Sequence, residues 1–140
     1  MTNDYRPFRI IVAGSRNIPT TSAYLDEYFN RLDLLSKSKN NIEVVSGTAR
    51  GGDRVGEDWA YARDHKLVKF PADWKYHGLS AGYKRNEQMA AYADALVAIW
   101  DNKSKGTKHM INIAKREGLA VRIISIQDIA MRLMPEERRA

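Results

Sequence analysis

The chain has 140 residues, 44% of them hydrophobic and 29% charged, the size and balance of a single domain (1–140) with one core and no room for a second. No run approaches the roughly 18 to 20 apolar residues that span a bilayer, and the polar stretch Met1 to Pro7 lacks a signal-peptide core, so a cytoplasmic location without membrane association is expected. The absence of cysteine excludes disulfides, thiolate zinc sites and a cysteine nucleophile, and the three histidines, His65, His77 and His109, lack the pair spacing of zinc motifs; neither metal nor cofactor is expected. A formal charge of +6 favours phosphorylated or polyanionic partners, although a solvated basic surface accounts for it equally well.

The first element is a strand over residues 8–13, an apolar β-branched run that ends at Gly14. Behind the hydroxyl cluster Thr20, Thr21 and Ser22, apolar residues recur at Leu25, Tyr28, Phe29, Leu32 and Leu35 with helical spacing. A second strand, 42–45, runs into Ser46-Gly47-Thr48-Ala49-Arg50-Gly51-Gly52-Asp53, after which Val55, Trp59 and Ala62 carry another helical face. Residues 67–70 form a brief third strand closed by Pro71, and 72–82 is expected to be a loop that walls or covers a site. A helix over 83–93, a buried strand over 95–100, a polar turn, a helix over 107–117, a strand over 121–126 and a short helix over 127–134 complete the chain. Strands alternating with helices throughout imply an α/β, Rossmann-like, doubly wound parallel sheet of about five strands in the order 3-2-1-4-5.

In such a sheet the connections after strands one and four diverge, and ligands collect there. Three loops of this chain arrive at that point: Gly14-Ser15-Arg16, Ser46 to Asp53, and Asp101 to Thr107 with Ser104 and Gly106. Glycine lets backbone amides approach a ligand, and the following helices present N–H groups, so an anion is the natural partner. A helix end contributes only about 0.3 to 1 kcal/mol when exposed, so Arg16, Arg50, Arg54 and Arg85 are needed to hold phosphate. The competing reading is that Gly47, Gly51 and Gly52 only turn the chain, with Arg50 and Arg54 paired to Asp53, Glu57 or Asp58. Neither a three-glycine dinucleotide fingerprint nor a lysine-bearing phosphate loop is present, which argues against a dehydrogenase or an NTPase. Trp74, Tyr76, Tyr83 and Trp100 are candidates to stack on a base, Trp100 with core packing as its stronger alternative.

Ile11-Val12-Ala13-Gly14-Ser15-Arg16, the stretch from Ser46 to Arg54, Lys84-Arg85-Asn86 with Met89 and Ala93-Asp94-Ala95, and Trp100-Asp101 with Ser104 and Gly106-Thr107 together closely resemble the SLOG superfamily. Within it they resemble the YspA-type domains, many of them encoded by bacteria and phages; the resemblance covers nearly the whole chain. It implies a Rossmann-like fold that binds nucleotides or nucleotide-derived ligands. The superfamily spans LOG phosphoribohydrolases, the DNA-processing protein DprA and nucleotide sensors, among which fold does not choose. LOG enzymes carry a catalytic glutamate three residues after Gly-Thr; here that position is Met110, while Arg85 matches the partner arginine.

The expectation is therefore a non-catalytic binder or sensor of a nucleotide-derived phosphorylated small molecule. Amides of Gly14, Ser15, Gly106 and Thr107 would meet its phosphate and Arg16 or Arg50 would clamp it, with Ser46, Gly47, Gly51, Gly52, Asp53, Arg54, Asn86, Asp101 and Ser104 around them. A nucleotide hydrolase using Arg85 and Glu87 is the second reading. A DprA-like single-strand nucleic-acid binder ranks last, because no long basic run is present. A homodimer is compatible with all three.

Overall fold

The computed structural model describes residues 6–135. Five strands, β1 (Phe8–Gly14), β2 (Ile42–Ser46), β3 (Lys66–Lys69), β4 (Ala95–Trp100) and β5 (Ala120–Ser125), form one all-parallel sheet in the order β3-β2-β1-β4-β5. This is the doubly wound α/β arrangement, with β1 at the centre pairing β2 on one side and β4 on the other. The helices are α1 (Ser22–Leu35), α2 (Gly52–Ala62), α3 (Trp74–His77), α4 (Ala81–Tyr92), α5 (Lys105–Arg116) and α6 (Ile126–Leu133), with a 3-10 turn at Gly78–Ser80.

Strand alternation divides the core into two layers. Ile10 and Val12 of β1, Val44 of β2, Val97 and Ile99 of β4 and Ile124 of β5 face Tyr28 and Leu32 of α1, Val55 and Trp59 of α2 and Ile129 of α6. Ile11 and Ala13, Val45, Leu96 and Ala98 point the other way, onto Met89 and Ala90 of α4 and Met110, Ile113 and Ala114 of α5. The central strands are buried on both faces, which is why they read as continuous β-branched runs. Trp59, fully buried, satisfies its indole N–H on Asp33 at 2.8 Å.

The sheet register also aligns charges. Arg9 of β1 lies opposite Glu43 of β2, and Glu43 opposite Lys66 of β3. The Glu43 carboxylate, 2% exposed, stands 3.5 Å from Arg9 and 3.8 Å from Lys66 and accepts the Tyr92 hydroxyl, while the Arg9 guanidinium stacks over the Tyr92 ring.

Boundaries depart from the sequence expectation by one or two residues at most elements, and more at one. The stretch 72–82 is not an open loop: Asp73 accepts the Tyr76 amide and starts α3, Gly78 at φ +58° turns the chain, and α4 already begins at Ala81. α5 starts at Lys105 rather than Thr107, because Ser104 takes the N-cap position and accepts the Thr107 amide. β3 ends at Lys69, although the Phe70 amide still reaches the Ser46 carbonyl at 2.7 Å.

Candidate functional site

The three loops do converge where β1 and β4 diverge, and they are sewn together by their own backbone. Ser15, buried, donates its amide to Ile99 (2.9 Å), receives the Gly52 amide on its carbonyl (3.1 Å) and the Asp101 amide on its hydroxyl (3.1 Å). Gly51 holds φ +83°, and a Cβ there would stand 2.0 Å from the Ser15 carbonyl oxygen, so the second loop can approach the first only as glycine. Asp53, buried at the start of α2, accepts the amides of Gly14 (3.3 Å) and Ala49 (3.1 Å). Desolvation pushes its carboxyl up to about 6, against the opposing pull of those amides and of Arg85.

This is a correction to the expected phosphate cradle. The amides of Gly14 and Ser15 are engaged by Asp53 and Ile99, so neither is aimed at a ligand. The Ser46 hydroxyl donates to Glu57 at 2.7 Å and accepts the Thr48 amide at 3.0 Å. Asp101 accepts the amides of Lys103 and Ser104, each at 2.8 Å. Burial opposes its charge, but the Ser104 and Lys103 amides outweigh that and hold the carboxyl below its ordinary value. Trp100 donates its indole N–H to the Ser104 carbonyl at 3.2 Å, closing the base of α5 rather than offering a stacking face.

A cavity of about 240 Å³ opens beside these loops. Of the residues picked from sequence it brings together Gly14, Arg16, Asp53, Arg85, Asn86, Ser104, Gly106 and Thr107. Ser15, Ser46, Gly47, Gly51, Gly52 and Asp101 shape the loops behind it. Arg50 turns to Asn17 (3.3 Å) and Arg54 pairs with Asp58 (3.1 Å), both exposed, and neither lines the cavity. Glu87 is exposed on α4 and also lies outside the lining.

Trp74 and Tyr83, two of the stacking candidates, stand at the rim of the cavity, and the wall missed from sequence is apolar: Ala13, Ala49, Met89 and Met110, with Leu79 and Gly82 from the stretch expected to cover a site. A signal was available, since Gly82, Arg85, Asn86 and Met89 follow the i, i+3, i+4, i+7 spacing of one helical face. Met110 is a buried part of the cavity wall.

Arg85 dominates the electrostatics. Its guanidinium donates to the Gly47 carbonyl and, through Nε, to the Asn86 side-chain oxygen at 3.1 Å. A Cβ on Gly82 would be 3.7 Å from both Arg85 Nη2 and Trp74, so this glycine leaves cation and ring flanking one opening. Burial lowers the Arg85 pKa, Asp53 opposes that, and the nearby Arg16 cation adds to it. Arg16 and Arg85 thus line one cavity in which, among the described residues, Asp53 is the single carboxylate, and both its oxygens accept backbone amides. Such a site attracts an anion with oxygens to share. Among the described residues no cluster of three or more His, Asp or Glu side chains is placed to hold a metal, and no helix is long and apolar enough to cross a membrane.

Comparison with known proteins agrees with this architecture. The chain is 34% identical over 119 residues to the Gene 61 protein of Mycobacterium phage D29, an overlap covering 81% of this chain and 93% of the phage protein. Its fold is shared, at a TM-score of 0.62 and 16% identity, with DNA processing protein A from Helicobacter pylori, a structure solved for its single-stranded DNA binding mode, over 92% of this chain and 74% of that one. A profile of the YspA, cpYpsA-related SLOG family matches residues 8–77, half of the chain and including the first two of the three loops. With that match and the phage relative, the chain belongs to the YspA, cpYpsA-related SLOG family.

Proposed function

We propose that the crevice binds a nucleotide by its phosphate, as one unit of a single-stranded nucleic acid. The observation that carries this reading is the pair Arg16 and Arg85 converging on one cavity rimmed by Trp74 and Tyr83. Guanidiniums bind phosphate oxygens in pairs, and an aromatic face stacks on any base. The engaged amides of Gly14 and Ser15 weaken the case for a closed phosphate cradle of the kind a small-molecule sensor uses, and leave contact to arginines a polymer can reach. Trp74, Tyr76 and Leu79 stand exposed next to the opening, which suits a strand continuing past the cavity, and the net charge of +6 has the right sign. The fold neighbour from Helicobacter pylori binds single-stranded DNA, which raises a reading that sequence alone ranked last.

The test is tryptophan fluorescence with a thymidine oligonucleotide across a salt series, beside the mononucleotide. Oligonucleotide binding that weakens by roughly 0.7 logarithmic units per phosphate contact for each tenfold rise in salt is expected, and Arg16→Ala should lower affinity about tenfold while Arg54→Ala does not. Equal affinity of Arg16→Ala and the parent would remove the site assignment.

A second reading, a free nucleotide derivative, is favoured by the size of the cavity, about 240 Å³ with buried Met89 and Met110 in its wall, enough for one such unit. It requires a mononucleotide to bind as tightly as the oligomer. Hydrolysis of that nucleotide has less support, because among the described residues the lining offers no carboxylate except Asp53, and Glu87 is exposed outside it.

A further inference from the structure

Arg85 is held by a chain of side chains that runs out of the cavity and ends on a histidine. Its Nε is an obligate donor, so the Asn86 atom it meets at 3.1 Å is the carbonyl oxygen. Asn86, itself buried, must then turn its NH2 toward His109 Nδ1, 3.1 Å away on α5. An NH2 group only donates, so Nδ1 is the acceptor and the imidazole proton sits on Nε2. The neutral ring lies against Tyr83, with centroids 4.1 Å apart and planes inclined at 34°, and Tyr83 is part of the cavity rim. One hydrogen-bonded chain therefore links Gly47, Arg85, Asn86 and His109 across the loop after β2, α4 and α5.

We propose that His109, acting through Asn86, is a positioning residue for Arg85 and makes anion binding in the crevice depend on pH. Protonation would place an N–H on Nδ1 directly against the Asn86 NH2, two donors with nothing to accept them. The Asn86 amide must then rotate or withdraw, and either movement takes the oxygen away from Arg85 Nε. The guanidinium keeps its bond to the Gly47 carbonyl but loses the contact that fixes its plane.

The charged groups facing the ring are Glu87 on α4, which favours protonation, and Arg116 on α5, which opposes it; burial opposes it most. Beyond Asn86 stand Arg85, then Asp53 and Arg16. Simple electrostatics predicts the opposite trend from the relay. A cationic His109 and a neutralised Asp53 both make the site more positive on acidification, so anion affinity would rise as pH falls. The relay makes it fall.

The inference that anion binding follows His109 rests on the phosphate-binding reading above, whereas the relay itself does not, and the experiment separates them. In 15N-labelled protein at pH 7.5, NMR should find His109 protonated at Nε2 and bare at Nδ1. Between pH 7.5 and 5 the Arg85 Nε–H resonance should move with the His109 midpoint, and His109→Gln, which retains an acceptor and cannot titrate, should abolish that movement. Thymidine oligonucleotide affinity should drop about tenfold over the same range in the parent, as expected for one charge-assisted hydrogen bond, and should not drop in His109→Gln. A proton on Nδ1 at pH 7.5, an Arg85 resonance indifferent to His109, or affinity that rises on acidification overturns the proposal. Coupled resonances in a protein that binds no oligonucleotide would uphold the relay and overturn the reading of the crevice.

Discussion

The Cα of Gly52 packs against the backbone of Gly14 so closely that a Cβ on Gly52 would stand 2.4 Å from the Gly14 Cα and 2.6 Å from its nitrogen. The obstacle is main chain, and it cannot swing aside as the end of a side chain would. Gly52→Ala must therefore pry α2 away from β1, at a cost of about 2 to 3 kcal/mol, the upper part of the overpacking range. Gly106→Ala makes the comparison, since a Cβ there meets nothing within 4 Å. Urea denaturation should show the first variant clearly destabilised and the second within about 0.5 kcal/mol of the parent.

Asp53 joins these same loops, and its burial makes stability depend on pH in an unusual direction. With its carboxyl raised from an ordinary 3.8 to about 6, the folded state holds a proton that the unfolded chain releases. The contribution is fully present below about pH 4 and is lost as pH rises through 6, up to about 3 kcal/mol in all. Asp33 and Asp94 are lowered, Asp33 chiefly by its hydrogen bond from Arg63 and Asp94, against its burial, by the amide and guanidinium of Arg9 and Arg6. Their stabilisation is lost as pH falls below the ordinary carboxylate range, so the windows are separate. His65 and His109, both lowered by burial, gain stability over the same interval, so the parent is read against Asp53→Asn: its excess unfolding free energy should decline from pH 4 to 7, and an excess that grows would contradict the assignment.

The sheet order and the meeting of three loops were legible because buried parallel strands read as uninterrupted runs such as Ile10 to Ala13, and because glycines follow two of them. What the loops do was less legible. Gly14 and Ser15 carry the composition of a phosphate cradle, but their amides meet Asp53 and Ile99, contacts between residues far apart in the chain that no local pattern encodes. Arg50 and Arg54 stand in the right loop by sequence, yet one step along α2 turns a side chain by about 100°, which carries Arg54 to Asp58 and away from Asp53. The stretch around Trp74 reads as a loop in sequence because its α3 turn is only four residues long, too short for a hydrophobic period, and depends on the single cap at Asp73.

Charge buried within the sheet should matter far more than charge on its surface. Glu43→Ala removes the carboxylate shared by Arg9, Lys66 and the Tyr92 hydroxyl, leaving the Arg9 Nε, already without a hydrogen-bond partner, with Asp94 as the carboxylate that still acts on Arg9. Removing one member of a buried pair costs about 3 to 5 kcal/mol, and Arg9, still reachable by water, points to the lower end. Arg54→Ala breaks an exposed i, i+4 pair with Asp58 and should cost less than about 0.5 kcal/mol. Denaturation midpoints of the two variants in one buffer check the ranking, and similar losses would mean that Glu43 is more hydrated than its burial indicates.

The aromatic rim offers a test of stacking that is independent of charge. Trp74 and Tyr83 are about half exposed, at 52% and 48%, and both line the cavity, whereas Tyr61 of α2 is 91% exposed and does not. If bases stack on the rim, Trp74→Ala should weaken oligonucleotide binding by about 1 to 3 kcal/mol, and Trp74→Phe should restore most of it. Neither change alters a charge, so the salt dependence of binding should keep its slope while the affinity shifts, whereas Arg16→Ala should reduce both. Tyr61→Ala, equally aromatic and more exposed, should leave both unchanged. A loss in Trp74→Ala that Phe does not restore would point instead to α3 itself, with the tryptophan holding the short helix over the opening rather than meeting a base.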